Sequence, residues 1–366
     1  MSAILSRMVG ALALTLSLGS ANAQVSPGTP TAATQPTFPS GRGPVIAIDE
    51  AHKNTHTFGS PPFRGLVQLL QADGYRVRPM TETVSESSLV EVDVLLISQP
   101  GGWFGPDESL KEQEVSRLLE WVREGGSLLL VLDHMPAPRN AARLTRALGI
   151  INWENGYTMA APSDSAPIGP IIFWRGDSFP EVARRVGPTG PGGGVGYQGS
   201  DAVLAHHVVT DGHSGLQQVR RVVTFIGSAF QPPEGADVLL TLPRNAISFT
   251  PTITPDERPV ITAATPRTSV GGWAQGAVMT IGRGRVAVFG ETGLFSGGPA
   301  GDNRVFVLNL LHWLSGLQVG LVRPPNVELN LTRAVGQRLA RELHAGTAGE
   351  FAFPSPGHLS FSEAIG

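Results

Sequence analysis

The chain has 366 residues, 27 of them basic and 30 acidic, for a formal charge of −3, with 41% hydrophobic content and no cysteine. This near-balance of charge leaves no electrostatic footprint for nucleic acid or an anionic membrane surface. The missing cysteine excludes disulfides, thiolate nucleophiles and cysteine-linked lipid anchors, while 45 glycines and 30 prolines announce many turns and long loops.

Residues 1–23 read as a secretory signal. Arg7 supplies the positive start, Met8 to Leu18 the apolar core, and Ala21-Asn22-Ala23 a small-residue cleavage site. The core is too short for a stable membrane span and no later stretch reaches that length. The mature chain is therefore expected to be periplasmic or secreted, with no integral membrane segment. Residues 24–43, rich in Pro, Thr, Ser and Gly, read as a flexible linker, and order is expected from Pro44.

Val45–Asp49 is an apolar, β-branched run and reads as a buried strand. Phe63 to Gly74 has helical spacing with a terminal glycine. Tyr75–Pro79 and Val92–Ser98 are expected as the second and third strands, followed by the loop Gln99 to Pro106. In Asp107 to Glu124, Leu110, Val115, Leu118, Leu119 and Val122 share one helical face, and Gly125-Gly126 stops it. Leu128–Leu132 is a fourth strand and Arg139 to Leu148 a further helix. This alternation predicts a parallel, doubly wound sheet.

Ile151 to Ser200 reads as loop-rich, with an irregular glycine run at 187–196. Val203–Leu204, Val219–Ile226, Val238–Leu242, Val260–Ala263 and Ala277–Ile281 read as short strands of a β-rich insertion spanning about 151–280. Arg285 to Gly290 returns to a buried strand and Asn303 to Leu317 to an amphipathic helix. Asn326 to His344 is expected as an accessory helix, in a C-terminal segment (318–366) with a frayed end.

Three strand ends deliver polar side chains where an open α/β sheet binds ligands. The first carries Asp49, Glu50, His52, Asn54, His56 and Thr57, which are candidate ligand-binding residues. His52, His56 and Asp49 are also candidate ligands for a divalent metal such as zinc, since imidazole and carboxylate groups suit such an ion. The plainer reading is that they cap the next helix and bond one another. The other ends carry Asp133-His134 and Glu291, candidate catalytic residues: His titrates near neutral pH and a carboxylate can orient it. Against this stand a helix-capping Asp133, a turn histidine, and a Glu291 that bonds loop amides. His206, His207 and His213 read as surface or turn residues that could close over the site.

Other matches fail. Asp49-Glu-Ala-His52 spells a helicase tetrapeptide, but the chain has no phosphate loop. Gly212-His-Ser-Gly215 lacks the final glycine of a nucleophile elbow, and Gly176-Asp-Ser-Phe179 sits in a loop. Trp103–Phe104 reads as a lid, a sugar-stacking surface or a local packing plug.

Five segments together carry a resemblance: the 49–57 run; Trp121-Val-Arg-Glu-Gly-Gly126 leading to Asp133-His-Met-Pro136; Arg221-Val-Val-Thr-Phe225; Gly282 to Glu291; and Leu311-His-Trp-Leu-Ser-Gly316. Over 44–317 the chain resembles the class I glutamine amidotransferase-like (GATase-like) superfamily. More narrowly, it looks like a group of exported bacterial proteins related to ThuA-like proteins and to the GIFT domain of intraflagellar transport proteins. The resemblance implies a flavodoxin-like three-layer sandwich, with the site at the strand ends. Active amidotransferases of that superfamily place a Cys on the sharp turn after a central strand, and here Asp133-His134 is expected at that turn. With no Cys, attack on glutamine is excluded. Two functions stand: binding of a polar small molecule or glycan, with carbohydrate as a candidate class, or hydrolase or lyase chemistry, metal-assisted, through the Asp/His cluster.

Overall fold

The computed structural model describes residues 36–102, 109–160, 171–175, 201–212, 217–253, 259–260, 262, 264–296 and 300–317. Within them, β1 (Val45–Asp49), β2 (Arg76–Met80), β3 (Val94–Ser98) and β4 (Ser127–Val131) run parallel. A late strand, β15 (Gly284–Phe289), joins them beside β4. The order β2-β1-β3-β4-β15 is the flavodoxin-like one, with its switch point between β1 and β3. The registers leave the carboxyl ends nearly flush: Ser98 lies opposite Val131, Phe289 opposite Val131, and Ile48 opposite Leu96.

Every residue of β1, β3 and β4 is buried because helices cover both faces. On one face Ile46, Ile48, Leu96 and Val131 pack against α1 (Pro61–Ala72) and the C-terminal helix α6 (Asn303–Leu314). On the other, Leu95, Ile97, Leu128 and Leu130 pack against α2 (Glu112–Arg123) and α4 (Ala142–Ala147). Each fully buried Leu, Ile or Phe adds about 1.5–3 kcal/mol, so the flavodoxin-like three-layer sandwich follows from these runs.

The β-rich insertion between β4 and β15 does not form a separate unit. It continues the same sheet: β14 (Ala274–Ile281) pairs antiparallel with β15 across the turn at Gly282, whose φ is +62°. Beyond it lie β9 (Asp237–Thr241), β7 (Val203–Leu204), β6 (Ile171–Arg175) and β8 (Arg221–Thr224), completing ten strands. The parallel half would otherwise end at β15 with an open row of backbone groups. A small second sheet, β13-β10-β5, is built from Arg267–Ser269, Ala246–Phe249 and Tyr157–Ala160. A two-stranded ribbon joins β11 (Thr252–Ile253) to β12 (Pro259–Val260). Strands β5 and β6 fall where the sequence reads as loop. The large sheet's edges are protected. Pro79 lies in β2, and Asp302 and Asn303 accept the N–H groups of Arg220, Arg221 and Val223 along β8.

The expected helix 139–148 is two short ones, α3 (Ala137–Asn140) and α4, separated at Ala141 (φ −98°). Order also begins before Pro44. Phe38 packs edge-on against Tyr75 at 4.9 Å, and its N–H donates to the Asp73 carbonyl. His312 Nε2 contacts both Asp73 Oδ2 (2.8 Å) and Thr37 Oγ1 (3.0 Å). Gly74, at φ +94°, lets this arm approach: a Cβ there would lie 2.2 Å from the Phe38 carbonyl oxygen. Residues 1–35, which include the expected signal, Trp103–Phe104, Gly176–Phe179, the 187–196 run, His213 and Asn326–His344 lie outside the described residues. No described helix is long and apolar enough to cross a membrane.

Candidate functional site

The residues that end β1 turn inward. Asp49 is fully buried, and its carboxylate accepts from His52 Nδ1 (2.8 Å), Asn54 Nδ2 (3.0 Å) and the Ala51 N–H (3.2 Å). The other ring nitrogen, His52 Nε2, meets Glu114 Oε1 at 3.0 Å. Glu114 also accepts the Lys111 N–H at the start of α2. Burial alone would lower the His52 pKa, but the hydrogen bonds and charges of Asp49 and Glu114 outweigh it and hold the value above the ordinary one. His52 is thus an imidazolium clamped between two carboxylates, tying β1 to α2. Asn54 also donates to the Ser98 carbonyl, linking the ends of β1 and β3. Glu50 accepts the Phe58 N–H, and the Thr57 carbonyl bonds Ser60 in the turn that starts α1.

Beside this network lies a cleft of about 180 Å³ at the switch point. It is lined by Thr55 and His56 from the loop after β1, Gln99, Pro100 and Gly102 after β3, Asp133 to Ala137 and Asn140 after β4, and Thr292 after β15. Pockets for drug-sized ligands usually measure about 300–1,000 Å³, so this one has room for no more than a single small molecule or one unit of a chain. His56 stacks on Phe63 at 5.3 Å. Burial lowers its pKa; the Asp133 charge works against this and His134 with it. His56 therefore faces the cleft as a neutral ring at neutral pH. His134 lies parallel to Tyr157 at 4.2 Å, with Nδ1 2.8 Å from the Met135 carbonyl. A carbonyl only accepts, so Nδ1 carries the proton, and in the neutral ring the lone pair is on Nε2.

Asp133 is 6% exposed. It accepts the His134 N–H, and Oδ2 takes both the Thr292 hydroxyl and its N–H. Glu291 lies deeper, at 3% exposed. Its two oxygens accept the N–H groups of Gly293 and Leu294, each at 2.7 Å. Burial, then the Asp133 charge, pushes its pKa up to about 8 against the opposing pull of backbone donors.

The structure therefore divides the expected site. Of the first group only His56 lines the cleft; Asp49, His52 and Asn54 bond one another, and Glu50 and Thr57 shape the loop. Asp133 and His134 are in the cleft, but the Met135 carbonyl holds the imidazole Nδ1 and Asp133 bonds the His134 backbone. Glu291 bonds loop amides and does not line the cleft. The left-handed non-glycine residues at the strand ends are Lys53 (φ +53°), in the loop after β1, and Gln99 (φ +50°), directly after β3. Gln99, Asn140, Thr55 and Thr292 were missed because uncharged side chains give no signal in a search for titratable groups. His206 bonds Arg175 and Asp211, and His207 caps α5 (Val208–Asp211); neither lines the cleft.

Asp49, His52 and His56 do not fit a metal. Both His52 nitrogens are held by carboxylates, and His56 Nδ1 faces Ser98 Oγ at 3.4 Å. Among the described residues no group of three or more His, Asp or Glu is arranged to hold an ion.

No family model matches the chain, and no curated protein matches it. Among solved structures, it is similar to the mmIFT52 N-terminal domain at 13% identity and TM-score 0.49, covering 74% of this chain and 97% of that one. A ThuA-like protein from Bacteroides uniformis matches at 12% identity and TM-score 0.40, covering 78% and 95%. One from Parabacteroides merdae matches at 12% and 0.39, covering 77% and 92%. The fold itself rests on the strand order.

Proposed function

We propose that this is an exported binding module that holds a small polar ligand, with carbohydrate as the first class to test, in the cleft at the ends of β1, β3 and β4. The observation that carries the reading is the division of the polar residues. The carboxylates of Asp49, Glu114 and Glu291 are occupied by internal donors. Among the described residues, the cleft itself is lined by hydrogen-bonding groups and apolar side chains, with Asp133 its one carboxylate. Such a wall orients a ligand through a few polar contacts. The signal-type segment at 1–23 supports action outside the cytoplasm.

A second reading has one observation behind it. His134, with Nδ1–H directed at the Met135 carbonyl, presents Nε2 as a general base for a hydrolase or lyase without a metal. The two readings separate on turnover. Thr55 is exposed at the rim, so Thr55→Trp plugs the cleft without disturbing the core. Ligand-dependent thermal stabilisation across a panel of sugars, amino acids and nucleosides is expected for the wild type and lost in Thr55→Trp. Stabilisation that survives the plug places the ligand elsewhere. Consumption of a panel compound, abolished by His134→Ala, establishes the second reading.

A further inference from the structure

Among the described cleft residues, Gln99 has a side-chain amide that the protein leaves uncommitted, and the buried Asn140 Oδ1 is unpaired as well. Its left-handed backbone, at φ +50°, is unfavourable for a residue with a Cβ and persists only where surroundings over-determine it. Here the anchors come from three elements. The Gln99 N–H donates to the Val131 carbonyl and its carbonyl accepts the Thr55 N–H, both at 3.1 Å. The Gly101 N–H donates to the His52 carbonyl at 2.7 Å. From α3, Asn140 Nδ2 donates to the carbonyls of Pro100 (3.0 Å) and Gly102 (2.8 Å). The turn is fixed, and Gln99 lines the cleft.

The Gln99 residue is 8% exposed, yet its amide makes no hydrogen bond to any described residue. Neither amide atom is shut off from solvent, so its one acceptor and two donors are open to a partner that arrives from outside. The walls say what that partner is. Among the described residues no Lys or Arg lines the cleft, and Asp133 does, which disfavours anions. Met135, Pro136 and Ala137 offer an apolar patch for C–H groups. Resting on the binding reading above, we infer that Gln99 determines specificity by bonding a vicinal diol of one neutral ring. One hydroxyl donates to Oε1 while its neighbour accepts from Nε2. A free monosaccharide, a cyclitol and the terminal unit of a glycan share this chemistry.

The test is ligand-observed NMR titration of the full chain with D-glucose, D-galactose, D-mannose, their methyl glycosides, myo-inositol, D-glucuronate and glucose 6-phosphate. Gln99→Gly removes the amide while relieving the left-handed backbone, and Gln99→Leu keeps the bulk. The wild type is expected to bind a neutral probe and to bind the two anionic probes at least several-fold more weakly. Both variants are expected to lose roughly tenfold or more in affinity with the fold retained by circular dichroism. Binding of methyl glycosides as tight as that of free sugars points to a glycan terminus; loss on methylation points to the free sugar. Wild-type affinity in both variants, or preference for the anionic probes, overturns the role of Gln99 and leaves the binding reading standing. No binding of any polar compound by the wild type overturns both.

Discussion

Replacing His52 by leucine removes a cation from between two buried carboxylates. Asp49 is fully buried and Glu114 is 7% exposed, so neither can recover its lost partner from bulk water. Breaking a buried pair from one side costs about 3–5 kcal/mol. At about 2–4 °C per kcal/mol for a domain of this size, the melting temperature falls by roughly 6–20 °C. Glu114→Gln is the control. It keeps an acceptor opposite His52 Nε2 and leaves Asp49 as the counter-charge, so its cost is about 1 kcal/mol. Urea unfolding followed by tryptophan fluorescence reads both, and an unchanged denaturant slope shows that the folded and unfolded states are otherwise the same. A His52→Leu protein melting within about 2 °C of the wild type refutes the clamp, as does a Glu114→Gln protein that is the weaker of the two.

Further outcomes follow from the same contacts. His52 holds its proton more tightly folded than unfolded, so its contribution is complete below about 6.5 and is lost as pH rises through the raised folded value. Glu291, raised from 4.5 to about 8, has the same sign and loses its contribution across that interval. The melting temperature should therefore fall between pH 6.5 and 8.5, and fall less in His52→Leu; a profile that rises contradicts both assignments. His56, with a lowered value, acts in the opposite sense as pH drops below 6.5. Thr292→Val takes the hydroxyl from Asp133 Oδ2 and should cost about 1–3 kcal/mol, read by thermal melting; no loss means that Asp133 finds another donor. Removal of residues 1–43 takes Phe38 from Tyr75 and the partners of Asp73, so it should lower the melting temperature by several degrees relative to removal of 1–35 alone. Equal stability of the two truncations contradicts the anchoring of the arm.

The parallel half of the fold was legible because strands covered on both faces are written as unbroken apolar runs, as in Val94-Leu-Leu-Ile-Ser98 and Ser127-Leu-Leu-Leu-Val131. The antiparallel half was harder to read. Ile171-Ile-Phe-Trp-Arg175 is as apolar as any of these strands, but it lies amid Pro, Gly and Ser and was absorbed into the reading of its surroundings. The break at Ala141 carries no glycine or proline to announce it. That β14 continues the main sheet depends on pairing with a strand it precedes by only a tight turn, and a strand's pattern does not state its partner. The site shows the same limit. The location came from strand ends and was readable. Which side chains face the cleft was not, because Asp49, His52 and Asn54 satisfy one another, and sequence does not say which polar groups do so. Gln99 gave no warning of its left-handed backbone, since that conformation is usually flagged by glycine or asparagine.

The most direct test of the central claim is a ¹H–¹⁵N chemical-shift titration of the protein with the tightest-binding polar probe. The account predicts saturable shifts concentrated at Thr55, His56, Gln99, Gly102, Asn140 and Thr292, which line the cleft. Saturable shifts centred on another surface, such as that around His206 and His207, or no shifts with any polar probe, would contradict it.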